Sequence, residues 1–364
     1  MKLTKLPATA LCIIIFFFTS LSTHAQQQGW EKTSTAASAA RQHGDLVQAE
    51  TLYKQALDLQ QNELGPNHWA VAMSLNNLAV FYQDEYRYAE AETLYKKSQA
   101  IWERTPGKEI QVASSMNNLA TLYHDEGKDA EAADMFGHAM GLWKKFGHLD
   151  QPEALVSLSG LADAYNAQGK IEDAEPLYKQ ALAIWEKNGQ MQIPDAQTAL
   201  IRLANIYYAQ GSYPEAEHLY ARSLVIEDRI GSVGTSDAII PLNNLAQIYR
   251  TQGRYSDAEP LLARVLEIRE KTLGPNHLDV AESVSNLAML YNCESKYAEA
   301  EPLYRRAVQI REKNLGLQHP DVAQSLQVYA ALLRQVGRTT EAQKIEAQAE
   351  RIQINATQKM GSGT

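Results

Sequence analysis

The side chains able to do chemistry are present in this chain, but their spacing does not assemble a reaction centre. Nine histidines occur. His68, His277 and His319 recur in one loop phrase, Leu-Gly-Pro-Asn-His or its variant Leu315-Gly316-Leu317-Gln318-His319, and so read as loop structure. The others are scattered, without the His-Glu-x-x-His spacing that places two imidazoles and a carboxylate around a metal. A catalytic thiol needs a base and an orienting group. Neither accompanies Cys293, which reads as buried or inert. There is no Gly-x-Ser-x-Gly elbow and no phosphate-binding glycine loop. No catalytic residue, metal ligand or cofactor is expected.

One aromatic feature has regular spacing. Trp102, Trp143 and Trp185 follow one another at steps of 41 and 42 residues. The same place later holds Glu227, Arg269 and Arg311, and earlier Gln60. The indoles either form a partly exposed strip that attracts a partner or stack between helices, part buried. In both readings the change from Trp to Arg divides the chain into chemically different halves.

The chain has 364 residues, of which 45% are apolar and 21% charged, an ordinary soluble composition. With 34 Lys and Arg against 43 Asp and Glu, the net charge is -9. That excludes a nucleic-acid binder that works by neutralising phosphates. Two cysteines make no disulfide framework.

The N-terminus reads as an address. Lys2 and Lys5 precede an apolar run from Ala8 to Leu21, and Thr23-His24-Ala25 supplies small residues before Gln26. This is the pattern of a secretory signal peptide, residues 1–25. The run is shorter than the roughly 20 residues needed to span a bilayer; an uncleaved anchor is the alternative. Cys12 lies ahead of most of the run, where it does not suit lipidation. Cleavage removes two lysines and no acid, taking the charge from -9 to -11. The mature protein is then expected to be periplasmic or secreted, without a membrane span, and to hold one thiol.

Residues 26–352 are eight copies of one unit. The alanine of Leu-Asn-Asn-Leu-Ala recurs as Ala37, Ala79, Ala120, Ala162, Ala204, Ala246, Ala288 and Ala330, at steps of 42 with a single 41. Three residues after this anchor stands Tyr in six units, seven after it Gly in six, and twelve after it Ala in all eight, from Ala49 to Ala342. Each unit reads as two helices. Asp195, Asp237, Asp279 and Asp321, nine before the anchor, read as N-caps of the first helix, with Asp279/Glu282 and Asp321/Gln324 as capping boxes. The glycine after it suits a left-handed turn. Pro176, Pro260 and Pro302 read as first-turn prolines of the second helix, which stops at Gly65, Gly274 or Gly316. Small residues at the anchor let the two helices approach closely. Repeat eight, with Leu333 for Tyr and Gln343, Lys344 and Glu346 on its second helix, suits a polar cap. Residues 353–364 are expected to be a flexible tail.

The sequence Leu-Ala, Tyr, Gly, Ala resembles the tetratricopeptide repeat (TPR) family. The 42-residue period, with Asn-Asn-Leu-Ala, Ala-Glu-Pro-Leu-Tyr and Ile-Arg-Glu-Lys-x-Leu-Gly, is similar to the long subtype of kinesin light chains and many bacterial proteins. A heptad coiled coil for a motor is missing. The resemblance implies an all-α solenoid of about eight antiparallel hairpins wound into a right-handed superhelix. First helices would line a concave groove that takes an extended peptide or helix of a partner.

In the kinesin light chain subtype, Asn two before the anchor holds a peptide backbone, a role an amide suits by offering both donor and acceptor. Asn77, Asn118, Asn244 and Asn286 match it; Gly160, Arg202 and Val328 depart from it and break the ladder. One after the anchor come Asp163, Asn205 and Gln247. The expected groove centre is Asn118, Asp163, Arg202, Asn205 and Asn244. Arg202 either forks onto a partner carboxylate or pairs within the chain, and the asparagines either bind or tie neighbouring helices. The expected function is a non-enzymatic scaffold for a protein or peptide partner. Self-association is the alternative.

Overall fold

The computed structural model describes residues 29–230 and 238–361. The N-terminal address, Asp237 and the last three residues lie outside them. The described residues form sixteen α-helices and no strand. The chain divides into two compact units at Ala199–Leu200. The first holds hairpins α1 (Gly29–Gln42)/α2 (Leu46–Leu64), α3 (Trp69–Asp84)/α4 (Tyr88–Glu103), α5 (Glu109–Asp125)/α6 (Asp129–Phe146) and α7 (Pro152–Ala167)/α8 (Ile171–Lys187). The division falls inside α9 (Pro194–Ala209). The second unit continues with α10 (Tyr213–Ile230), α11 (Ile239–Thr251)/α12 (Tyr255–Leu273), α13 (Leu278–Cys293)/α14 (Tyr297–Leu315) and α15 (Pro320–Gln335)/α16 (Thr339–Gly361).

The sequence explains why each hairpin closes where it does. All eight anchor alanines and all eight alanines twelve residues later are at most 1% exposed. Small side chains at these positions let each first helix lie close to its second. Between the helices, the glycine seven after the anchor takes a left-handed conformation, as Gly253 does at φ 73°. The next residue donates its N–H to the carbonyl three after the anchor, as Arg254 does to Tyr249 at 2.8 Å. This is a Schellman turn. In two repeats Tyr86 and Ser295 hold the glycine's place at φ 59° and 61°, a conformation that costs a side-chain-bearing residue about 1–2 kcal/mol.

Three local expectations are corrected. In three repeats the first-helix cap is a histidine: the Nδ1 atoms of His68, His277 and His319 accept the N–H of Ala70, Asp279 and Asp321. Asp279 and Asp321 lie inside the first turn, where their charge meets the free N–H groups. Pro176, Pro260 and Pro302 sit six residues into α8, α12 and α14, because these helices begin earlier than expected; each forgoes one intrahelical hydrogen bond. Finally, α16 continues to Gly361 through the expected tail. No Gly or Pro interrupts it from Thr339 to Met360.

Hairpins within each unit are joined by a recurring charged knot. A glutamate thirteen after one anchor accepts from the tyrosine three after the next: Tyr82 to Glu50 at 3.0 Å, Tyr123 to Glu92 at 3.0 Å and Tyr291 to Glu259 at 2.8 Å. A cation eight after the anchor covers the tyrosine ring, as Arg87 covers Tyr82 at 4.1 Å and Arg254 covers Tyr249 at 4.0 Å. It also reaches the preceding glutamate: Arg87–Glu50 and Arg254–Glu217 at 2.8 Å, Arg338–Glu301 at 2.7 Å. Hydrogen bonds from Lys54, Arg87 and Tyr82 outweigh burial and lower the Glu50 carboxyl from 4.5 to about 2.

A carboxylate favoured in the folded state stabilises it above the unfolded value and loses that effect as pH falls through the folded one. Hydrogen-exchange protection of α2 and α3 is therefore expected to fall between pH 4.5 and about 2. Glu50→Gln should flatten part of that dependence. An unchanged slope in the variant would remove this knot as its source.

Candidate functional site

The tryptophans face inward. Trp102, Trp143 and Trp185 are only 8%, 1% and 2% exposed, so the exposed strip is excluded. Trp143 Nε1 donates to Ser157 Oγ at 3.0 Å. In the later repeats Arg269 donates to Ser283 at 3.0 Å and Arg311 to Ser325 at 2.7 Å. Indole and guanidinium are two ways of reaching the same buried hydroxyl fourteen residues on. Trp102 instead stacks on Trp69 at 6.5 Å. The serine five before the anchor recurs in five units, a signal the sequence reading passed over. Of the two readings of Cys293, burial is excluded: it is exposed.

The polar residues singled out in the sequence lie on first helices and are exposed or half-buried. In the first unit Asn77 is exposed on α3, and its neighbour Asn76 accepts from Asn118 Nδ2 at 2.6 Å. Asp163, half-buried on α7, accepts from the Tyr178 hydroxyl. Between them the ladder is broken at Gly160 for a packing reason. A Cβ there would lie 2.7 Å from both Cε atoms of the Phe136 ring, which stands sixteen after the preceding anchor. Asn118 and Asp163 are not bonded to each other; Asn118 bonds to Asn76 and Asp163 to Tyr178.

In the second unit the structure does bring expected residues together. Tyr220, from α10, donates to Asn205 Oδ1 at 2.5 Å. Asn244 Nδ2, from α11, donates to Tyr220 Oη at 2.9 Å and to Asn205 Oδ1 at 3.2 Å. Burial pushes the Tyr220 hydroxyl up to about 12, so it stays protonated at ordinary pH. Arg202 is exposed on α9, and Asn286 is half-buried on α13. Beside them Arg250 donates to Gln247 Oε1 at 2.7 Å. On the second unit's first helices, from two before to four after each anchor, Arg202, Arg250 and Arg334 are the only charged side chains.

The tyrosine hydroxyls are the site feature that sequence reasoning missed. Sixteen after the anchor, Tyr53 pairs with Ser38 at 3.2 Å and Tyr95 donates to Gln83 at 2.8 Å, in addition to Tyr178 and Tyr220. The recurrence of Tyr at that spacing was visible; that its hydroxyl passes beneath the polar row was not. Among the described residues no group of three or more metal-ligating side chains occurs, and no helix is long and apolar enough to cross a membrane.

Models of the tetratricopeptide repeat match residues 34–70, 70–145, 111–187, 195–271, 237–313 and 279–355. No curated protein sequence matches the chain. Among solved structures, the chain is similar to BtubC (BKLC) from P. vanneervenii, with 20% identity and a TM-score of 0.54 over 68% of this chain and 94% of that one. It is similar to a signal-transduction ATPase with a tetratricopeptide repeat sensor from Pyrococcus horikoshii, with 13% identity and a TM-score of 0.64. That match covers 90% of this chain and 47% of the other. A putative kinesin light chain of Podospora anserina is 26% identical, with a TM-score of 0.49 over 58% of this chain and 99% of that one.

The Gly160–Phe136 contact gives a direct check. Gly160→Ala should cost about 1–3 kcal/mol in denaturant unfolding, the usual price of overpacking. In a Phe136→Ala background the same change should cost much less. Strictly additive costs would show that the ring is not what excludes a side chain from position 160.

Proposed function

The chain belongs to the tetratricopeptide repeat family, and from that premise we propose that it is a non-catalytic scaffold holding a segment of a partner protein on the free face of its first helices. The observation that carries the proposal is the Asn205–Tyr220–Asn244 cluster in the second unit. Two amides are fixed side by side on a solvent-accessible face, yet Asn205 Nδ2 and Asn244 Oδ1 make no hydrogen bond among the described residues. Such a pair meets the N–H and C=O of one extended residue. Arg202 stands two before the Ala204 anchor on the same face and is assigned to a carboxylate of the partner. Asn77, Asn118, Asp163 and Asn286 are assigned to the same faces, Asn118 and Asp163 with a share of their bonding already used inside the array.

Self-association end to end receives less support. At the first hairpin Thr33, Ala36 and Ala39 occupy places that hold Leu75, Leu78 and Phe81 one repeat later. At the last, Glu346, Glu350 and Gln353 replace Tyr304, Val308 and Arg311. Small groups at one end and polar groups at the other offer a second copy little apolar area to bury.

The N-terminal run is proposed as an export signal cleaved after Ala25, which would place the scaffold in the periplasm or outside the cell. N-terminal sequencing of the protein from its host is expected to begin at Gln26; an intact Met1 would retire the proposal in favour of an anchor. For the binding site, partners captured from envelope or secreted extract are expected to bind at least about tenfold more weakly to Arg202→Glu/Asn244→Ala, with the helical signal intact. Equal capture by the variant would move the site off these residues.

A further inference from the structure

We propose that Tyr220 is a positioning residue: its hydroxyl fixes the orientation of the Asn205 and Asn244 amides, so that the pair presents one donor group and one acceptor to the C=O and N–H of one residue of an extended backbone. The proposal rests on the reading above, that this face binds a partner segment.

A side-chain amide is nearly symmetric in shape and opposite in chemistry at its two ends, so a binding amide is selective only if something fixes its direction. Here counting links the two directions, and the bond from Tyr220 to Asn205 sets which is which. A tyrosine hydroxyl has one proton to give. Tyr220 gives it to Asn205, at 2.5 Å, which obliges Asn205 to turn its oxygen inward. The hydroxyl oxygen is then free only to accept, and Asn244 must turn its nitrogen inward to meet it, at 2.9 Å. The third side of the triangle, Asn244 Nδ2 to Asn205 Oδ1 at 3.2 Å, requires the same two orientations. What remains is Asn205 Nδ2 as a donor and Asn244 Oδ1 as an acceptor. The lock is also rigid. The Tyr220 side chain is fully buried beneath the face and enters from the second helix of the hairpin, so its position does not depend on the bound segment. Holding the amides in place before binding spares the entropy of ordering them afterwards.

The chemistry selected is narrow. One residue of an extended segment turns its own C=O and N–H to the same side, and so offers the C=O to the donor and the N–H to the acceptor. A carboxylate would satisfy the donor but set its charge against Asn244 Oδ1. An ammonium would fail in the opposite way. The neighbouring repeats lack this arrangement: Tyr178 holds an aspartate, which has no donor when ionised, and Phe136 has no hydroxyl and faces Gly160.

The test uses peptides selected from a random library on the full-length chain. Those whose binding Asn244→Ala removes serve as probes. Tyr220→Phe is expected to weaken them roughly tenfold, the scale of one well-placed hydrogen bond. It should also bring the separate side-chain NH2 resonances of Asn205 and Asn244 toward averaged positions. Asn205→Asp keeps the oxygen that Tyr220 needs and removes the outward donor, so it should weaken the probes comparably even if Tyr220→Phe folds poorly. Native affinity in Tyr220→Phe or Asn205→Asp toward an Asn244-dependent peptide would overturn the positioning role and leave the binding face standing. If no selected peptide depends on Asn244, the binding reading of this face fails, and the role of Tyr220 fails with it.

Discussion

The structure depends on how closely two helices can lie when an alanine faces an alanine. Each hairpin has one such crossing, and every one is closed to solvent. The close approach fixes the angle at which the second helix leaves the turn. That angle decides which of its side chains face the partner helix and which face the next hairpin. A single hairpin treated this way still has an uncovered side. Its stability is then a matter of its neighbours, as expected of a repeat array.

What the neighbours exchange is more polar than an apolar repeat pattern suggests. The glutamate–tyrosine–cation knot and the buried serine that receives either an indole or a guanidinium both join one hairpin to the next. Burial lowers the affinity of Arg311 for its proton, which is the electrostatic cost of placing a cation there. Its hydrogen bonds to Ser285 and Ser325 offset part of that cost. Trp143 reaches Ser157 without carrying charge. The array has reached one geometric end with two chemistries, which explains why the change from Trp to Arg across the repeats leaves the hairpin unaltered.

The fold was legible because its signals are local and periodic. The 42-residue spacing, the paired alanines and the turn glycines each act within one hairpin, and eight copies repeat the statement. Detail failed where a residue has two competing uses. Asp279 looked like a cap, but His277, two residues earlier, accepts the N–H of Asp279 itself, so the helix starts before it. The tryptophans read equally as a surface strip or as a stack between helices, because spacing along one chain does not say which neighbour covers a face. The candidate site was legible only in part. The asparagines were found by their spacing from the anchor. The tyrosine beneath them was not, since its spacing is equally that of a core residue, and its ring is one; only the last atom of the side chain belongs to the polar row. Gly160 is the converse case, a gap in the row dictated by a ring from the preceding hairpin.

The residue just after the turn serves both of its neighbours in the chain and one hairpin behind it. Arg254 closes the end of α11, begins α12, lies on the Tyr249 ring and holds Glu217 of the preceding hairpin. Each unit thus carries one half of a joint at a fixed place and the matching half at another. A copied unit inserted by duplication would arrive with both halves in register, and a deleted one would leave two compatible ends to meet. Arrays built this way can change length in whole units during descent without a compensating change elsewhere, while an insertion inside a unit would break a joint on either side.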